Sequence, residues 1–259
     1  MIHAAVFVVL VFAIPWIVGP WLPQQPQTRW EVIVSYVPGV WAPTVIATAM
    51  MAWTSGLGGL ARELRSRLRV PWRARGWLLY ASVIPAVVTL IGVGAARLTG
   101  DSQPFLRSAA LLTVVVNAMV TGAVGEELGW RGFLLSRLDA HMSARSASLV
   151  MSALWALWHL PIFLFPDSPY ATWPVVPALL TIVAFGAVMG GLFYRTGRSI
   201  VPTILAHLSL NVALGVGGAR LSSPALWWTT GAVFALMSFM LLQGSAQQGS
   251  GIREVAKQM

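Results

Sequence analysis

Cysteine is absent from the 259 residues. Its absence excludes disulfides, thiol catalysis and cysteine-ligated metals. Charge is scarce as well: 10% of the residues are Asp, Glu, Lys or Arg, against about 25% in ordinary soluble domains. The acids are the scarcer sign, 8 against 17 basic residues. A soluble chain of this length would need far more charge to cover its surface, so the bilayer must be part of its solvent. The formal net charge of +9 does not point to nucleic acid, because the basic residues sit in short stretches between apolar runs, as in juxtamembrane loops.

Hydrophobic residues make up 57% of the chain. Runs long enough to span a bilayer lie at 2–21, 35–57, 77–98, 105–125, 146–165, 174–194, 199–218 and 224–243. A span needs about 20 residues, and backbone groups in lipid must bond internally, so these runs read as helices. The expected fold is all-α, a polytopic transmembrane bundle of about eight helices forming one domain over 1–243, followed by a polar cytoplasmic tail at 244–259. The first run has no Lys or Arg before it and no small-x-small cleavage site after it, which reads as a retained helix rather than a signal peptide.

The stretch Arg62–Arg75 is the strongest cytoplasmic signal. Placing it inside puts both termini inside and splits the basic residues of alternating loops thirteen to four, with Arg29, Arg97, Arg107 and Arg220 outside. The expected location is a bacterial plasma or inner membrane, as a multi-pass protein. The lack of an internal repeat counts against an inverted-repeat transporter. Gly186 and Gly190 form one small-residue pair, read as close helix packing.

Charge within a span costs about 2.5–3.5 kcal/mol per central residue, so the polar residues retained there are informative. They form three groups. In Gly125-Glu126-Glu127-Leu128-Gly129-Trp130-Arg131, at the inner end of span four, Glu127 and Arg131 are four apart and can pair. Glu126 points about 100° away with no local cation, and a partly desolvated free carboxylate suits general acid or base work. A salt-bridged interfacial helix end is the structural alternative. His159 follows Trp155 by four in an apolar run, and a histidine bonded into the bundle is its plainer reading. His207 and Asn211 share a helix face, where Asn can orient an imidazole, donate to an oxyanion or simply hold helices together. If the three helices adjoin, the bundle holds enough to activate a water and stabilise an oxyanion. His3 and His141, at a terminus and in a loop, carry no assigned role.

Glu126-Glu127-x-x-x-Arg131, Trp155-x-x-x-His159 and His207-x-x-x-Asn211, in that order on separate spans, resemble the motifs of the CAAX prenyl protease and bacteriocin-processing (CPBP, or Abi) family of intramembrane proteases. The resemblance covers about 108–215, the expected catalytic core. It implies a membrane-embedded endopeptidase opening toward the cytoplasm, acting on a peptide or protein at the membrane. By motif position Glu126 would activate water with His159, while His207 and Asn211 would stabilise the oxyanion or hold the site. Glu127 and Arg131 would support the first motif. The second motif commonly begins with Phe; Trp155 keeps the aromatic bulk but alters the pocket. The family is often labelled metalloprotease, and His159, His207 and Glu126 could ligate zinc or another divalent metal with one position left for water. Asn and Arg nearby suit charge stabilisation without a cation, and on balance no cofactor is required. Two other readings are a catalytically silent scaffold or immunity-type binder of the same fold, and a proton-coupled transporter using Glu126 and His159.

Overall fold

A computed structural model describes residues 1–18, 29–101, 103–104, 111–164, 171–218 and 220–243. The expected cytoplasmic tail lies outside them. Helices are the sole regular elements among the described residues, as backbone in lipid requires. They are α1 Ile2–Val18, α2 Arg29–Leu68, α3 Gly76–Leu98, α4 over 111–138, α5 Ala144–Trp158, α6 Leu160–Leu164, α7 Val175–Arg195, α8 Val201–Val216 and α9 Pro224–Gln243. Five described stretches are long and apolar enough to cross a membrane: Val37–Leu68, Trp72–Leu98, Ala144–Leu164, Val175–Arg195 and Pro224–Gln243. Ile2–Ile14 and Val201–Val216 are shorter apolar helices. The protein is a multi-pass integral membrane protein.

Two boundaries differ from the sequence reading. The arginine-rich segment is helical as far as Leu68, because α2 bends instead of ending. The bend is at Gly56, whose φ of 66° suits glycine alone, and beyond it Glu63 and Arg67 pair at 3.5 Å one turn apart. The fourth span extends past 125. Residues 111–138 form one rod, α-helical with π-helical stretches at Met119–Ala123 and Leu128–Leu135. Its charges had suggested a loop, but Glu127 neutralises Arg131 and Glu63 lies 3.6 Å from Arg137. Glu126 is therefore in mid-rod rather than at a span end.

The bundle is fastened by small and hydroxyl side chains, as expected where lipid supplies no hydrophobic force between helices. A Cβ on Gly186 would fall 2.7 Å from Ser152 Oγ, and Gly190 packs equally closely on Ser148, joining α7 to α5. On α8, the Ser209 hydroxyl donates to the Ser82 carbonyl at 2.8 Å and accepts from the Ala86 N–H at 3.1 Å. Those two α3 groups, four residues apart, would pair with each other in an uninterrupted helix. Phe7, Trp130 and Phe133 form an aromatic core, with Phe7 5.8 Å from Trp130 and 5.1 Å from Phe133. This core lies on the arginine-rich side of Glu126.

Candidate active site

The glycines that flank the carboxylates bring α4 against α2. A Cβ on Gly129 would fall 2.5 Å from the Pro43 carbonyl oxygen, and one on Gly125 would fall 3.0 Å from that of Val40. Two π-helical stretches lie on either side of Val124–Glu127; such widenings re-aim side chains and are frequent at functional sites. Arg131 Nη1 donates to Glu127 Oε1 at 2.9 Å, and both side chains are 0% exposed. The spacing-based expectation of this pair is met. A third member carries no spacing signal along the chain: His207 Nδ1, from α8, lies 3.0 Å from the same Oε1.

Among the described residues Glu126 has no such counter-charge at hydrogen-bond distance. Its Oε2 accepts from Trp155 Nε1 at 2.6 Å, and the residue is 3% exposed. Trp155 also lies beneath the Arg131 guanidinium, 4.3 Å from its ring centroid, a favourable cation–π distance. The indole thus joins the free acid to the paired one. Phenylalanine could supply the stacking but not the N–H.

His159 is set by the end of α5. Pro161 has no N–H to continue the helix, and the chain tightens so that His159 N bonds the Ala156 carbonyl at 3.0 Å. The Trp155 carbonyl is instead met by His159 Nδ1 at 2.7 Å. A carbonyl only accepts, so Nδ1 is the donor and Nε2 of the neutral ring is the basic nitrogen. His159 packs edge-on to Trp155 at 5.2 Å, and His207 does so at 5.4 Å. A Cβ on Gly122 would sit 2.8 Å from Asn211 Nδ2 and 3.6 Å from His207 Nε2, so the glycine leaves these two groups their space.

Glu126, Trp155, His159, His207 and Asn211 line one cavity of about 340 Å³. The three helices expected to meet do meet. Asn117 on α4 lines it too, a residue the sequence reading passed over although an amide in an apolar run was the available signal. The resemblance implies an opening toward the cytoplasm; among the described residues none of the arginines from 62 to 75 lines the cavity. From Glu126 and His207 it runs to Phe163, Trp173, Leu221 and Trp227, at the opposite end of the bundle. Among the described residues no three His, Asp or Glu side chains form a group that could hold a metal ion.

A carboxylate, two imidazoles and an amide thus share one cavity inside an apolar bundle. Residues 108–213 match the family model for Type II CAAX prenyl endopeptidase Rce1-like proteins. The chain is 23% identical to CAAX prenyl protease 2 of Methanococcus maripaludis over 224 residues, 78% of this chain and 79% of that protein. Over that stretch the chain resembles the proteases of the CAAX prenyl protease and bacteriocin-processing family.

Proposed function

We propose that the protein is an intramembrane endopeptidase that hydrolyses a membrane-associated peptide with a water activated by Glu126. The observation that carries this reading is Glu126 itself: a buried carboxylate with no cation at hydrogen-bond distance among the described residues, tethered by an indole bond, in a cavity it shares with both imidazoles and Asn211. The water gives a proton to Glu126 while its oxygen attacks the scissile carbonyl carbon. His159 Nε2 orients that water. The oxyanion is met by the Asn211 amide and His207, whose ring is held at Nδ1 by Glu127. As the C–N bond breaks, Glu126 returns its proton to the leaving amine. Glu127 and Arg131 position the others and touch no reacting atom.

The reading is metal-free. It is supported by the described residues, among which no three His, Asp or Glu side chains form a group that could hold a metal ion. Given the likeness to CAAX prenyl protease 2, a prenylated C-terminal peptide is the first substrate to assay. The test is Glu126→Gln, which keeps the shape and an acceptor for the indole but removes the base. Cleavage should fall by at least about 10²-fold, the low end for losing a general base, with the melting temperature in detergent unchanged. Cleavage at the wild-type rate would remove Glu126 from the mechanism. A silent scaffold would cleave with neither side chain.

A further inference from the structure

A short strip of α2 backs α4 along the part that carries Glu126. Trp41 Nε1 donates to the Val120 carbonyl at 2.8 Å. A Cβ on Gly125 would fall 3.2 Å from Trp41 Cδ1 and 3.0 Å from the Val40 carbonyl oxygen, and one on Gly129 would meet the Pro43 carbonyl oxygen. The three α4 residues belong to its irregular part. Val120 lies in the π-helical stretch Met119–Ala123, Gly129 in Leu128–Leu135, and Gly125 in the α-helical turn between them. Among the described residues no α2 side chain lines the cavity, so this strip can affect the reaction only through α4.

The Trp41 bond falls on the first π-helical stretch. A π turn bonds residues five apart, here Val124 N to the Met119 carbonyl, and such turns are rare. It also turns whatever follows it relative to a continuous α-helix, so the aim of Glu126 depends on the π turn being kept. The indole edge lies along this segment, with Nε1 on Val120 and Cδ1 beside Gly125, the residue before Glu126. Gly122 is two residues beyond Val120 and so on another face of the rod. There it leaves Asn211 Nδ2 and His207 Nε2 their space. One turn of α4 thus meets Trp41 on one face and Asn211 with His207 on another, and it leads into Glu126. In hydrocarbon no water is available to replace the indole N–H.

We propose that Trp41 is a positioning residue for the reaction at Glu126. Its N–H on the Val120 carbonyl holds the π turn that aims the Glu126 carboxylate and sets Gly122 against Asn211 and His207. The inference rests on Glu126 being the base, as proposed above. Trp41 lies outside residues 108–213, the stretch matched by the family model, and it acts at one remove from the acid. Two indoles from two helices then fix Glu126. Trp155 of α5 bonds its carboxylate, and Trp41 of α2 bonds the backbone that leads to it.

The test compares side chains at position 41. Trp41→Phe keeps a ring and removes the N–H. Trp41→His keeps an N–H as well, because imidazole Nε2 stands at the same ring position relative to Cγ as indole Nε1. Cleavage of a prenylated C-terminal peptide, melting in detergent and amide hydrogen exchange over residues 119–126 are measured for each. In Trp41→Phe kcat should fall about three- to tenfold, as for the loss of one hydrogen bond, with KM and melting temperature unchanged and faster exchange over 119–126. In Trp41→His both kcat and exchange should lie nearer the parent's. Wild-type kcat in Trp41→Phe, an equal loss in both variants, or a change confined to KM or melting temperature overturns the inference. If Trp41→Phe does not fold, Trp41→Leu, which also lacks the donor, takes its place in the comparison. Glu126→Gln is assayed beside them. Wild-type cleavage there ends the enzymatic reading, whereas wild-type cleavage by Trp41→Phe beside an impaired Glu126→Gln ends this inference alone.

Discussion

Trp155 Nε1 donates to Glu126 Oε2 across 2.6 Å, so an acid with no ionic partner among the described residues is held by a residue from a neighbouring helix. Trp155→Phe keeps the ring beneath Arg131 and removes the donor. A hydrogen bond to a charged group contributes about 1.5–3 kcal/mol. If Glu126 must be aimed for the reaction, kcat should fall about tenfold to a hundredfold, with KM and melting temperature nearly constant. A change in KM alone would make Trp155 a pocket wall and no more.

Glu127 is the anchor of a buried triad with Arg131 and His207. Removing one member of a buried ion pair strands the other charge, at a cost of about 3–5 kcal/mol. Glu127→Gln should therefore unfold markedly earlier in detergent than the parent. Adding Arg131→Gln should recover part of that stability but not the activity, because His207 would still lack its Nδ1 partner. Recovery of both would deny His207 a role in turnover.

Gly122 holds open the space next to Asn211 and His207. In Gly122→Ala the new methyl group must push the Asn211 amide aside. Misplacement of a catalytic group by about 1 Å can reduce rates on the order of 10²-fold. Loss of kcat on that scale with an unchanged unfolding temperature is the expected result, and a fully active Gly122→Ala would show that Asn211 needs no fixed position.

Metal independence is checked by stripping the purified protein with a chelator and measuring both bound zinc and cleavage. Activity should persist at its original rate in metal-free buffer. Loss on stripping, restored by added zinc and by no other treatment, would replace Glu126 as the water's activator with a metal ion.

Much of the site was legible because helices translate spacing into direction. The interval from Glu127 to Arg131 predicts their pairing, and the same rule leaves Glu126 apart. The contacts that complete the site cross between helices, and no spacing along one run encodes them: His207 to Glu127 and Trp155 to Glu126 are separated by 80 and 29 residues. Trp155 was read for its bulk, while its N–H makes the decisive contact. Glu126 departs from the expected span end for a related reason. Arg131 and Arg137 looked like the start of a loop, and only their acid partners show why the helix continues. The apolar spans themselves were readable from length and hydropathy, but the direction of the cavity depends on which helix ends meet around it.

The Ser209 hydroxyl between Ser82 and Ala86 ties the completion of one helix to the arrival of another. Until α8 docks, α3 lacks its bridging group at that rung, and the residues on either side of Ser209 in sequence, His207 and Asn211, arrive with it. The tie between α8 and α3 and the placement of two cavity-lining side chains therefore rest on one segment of five residues, 207–211.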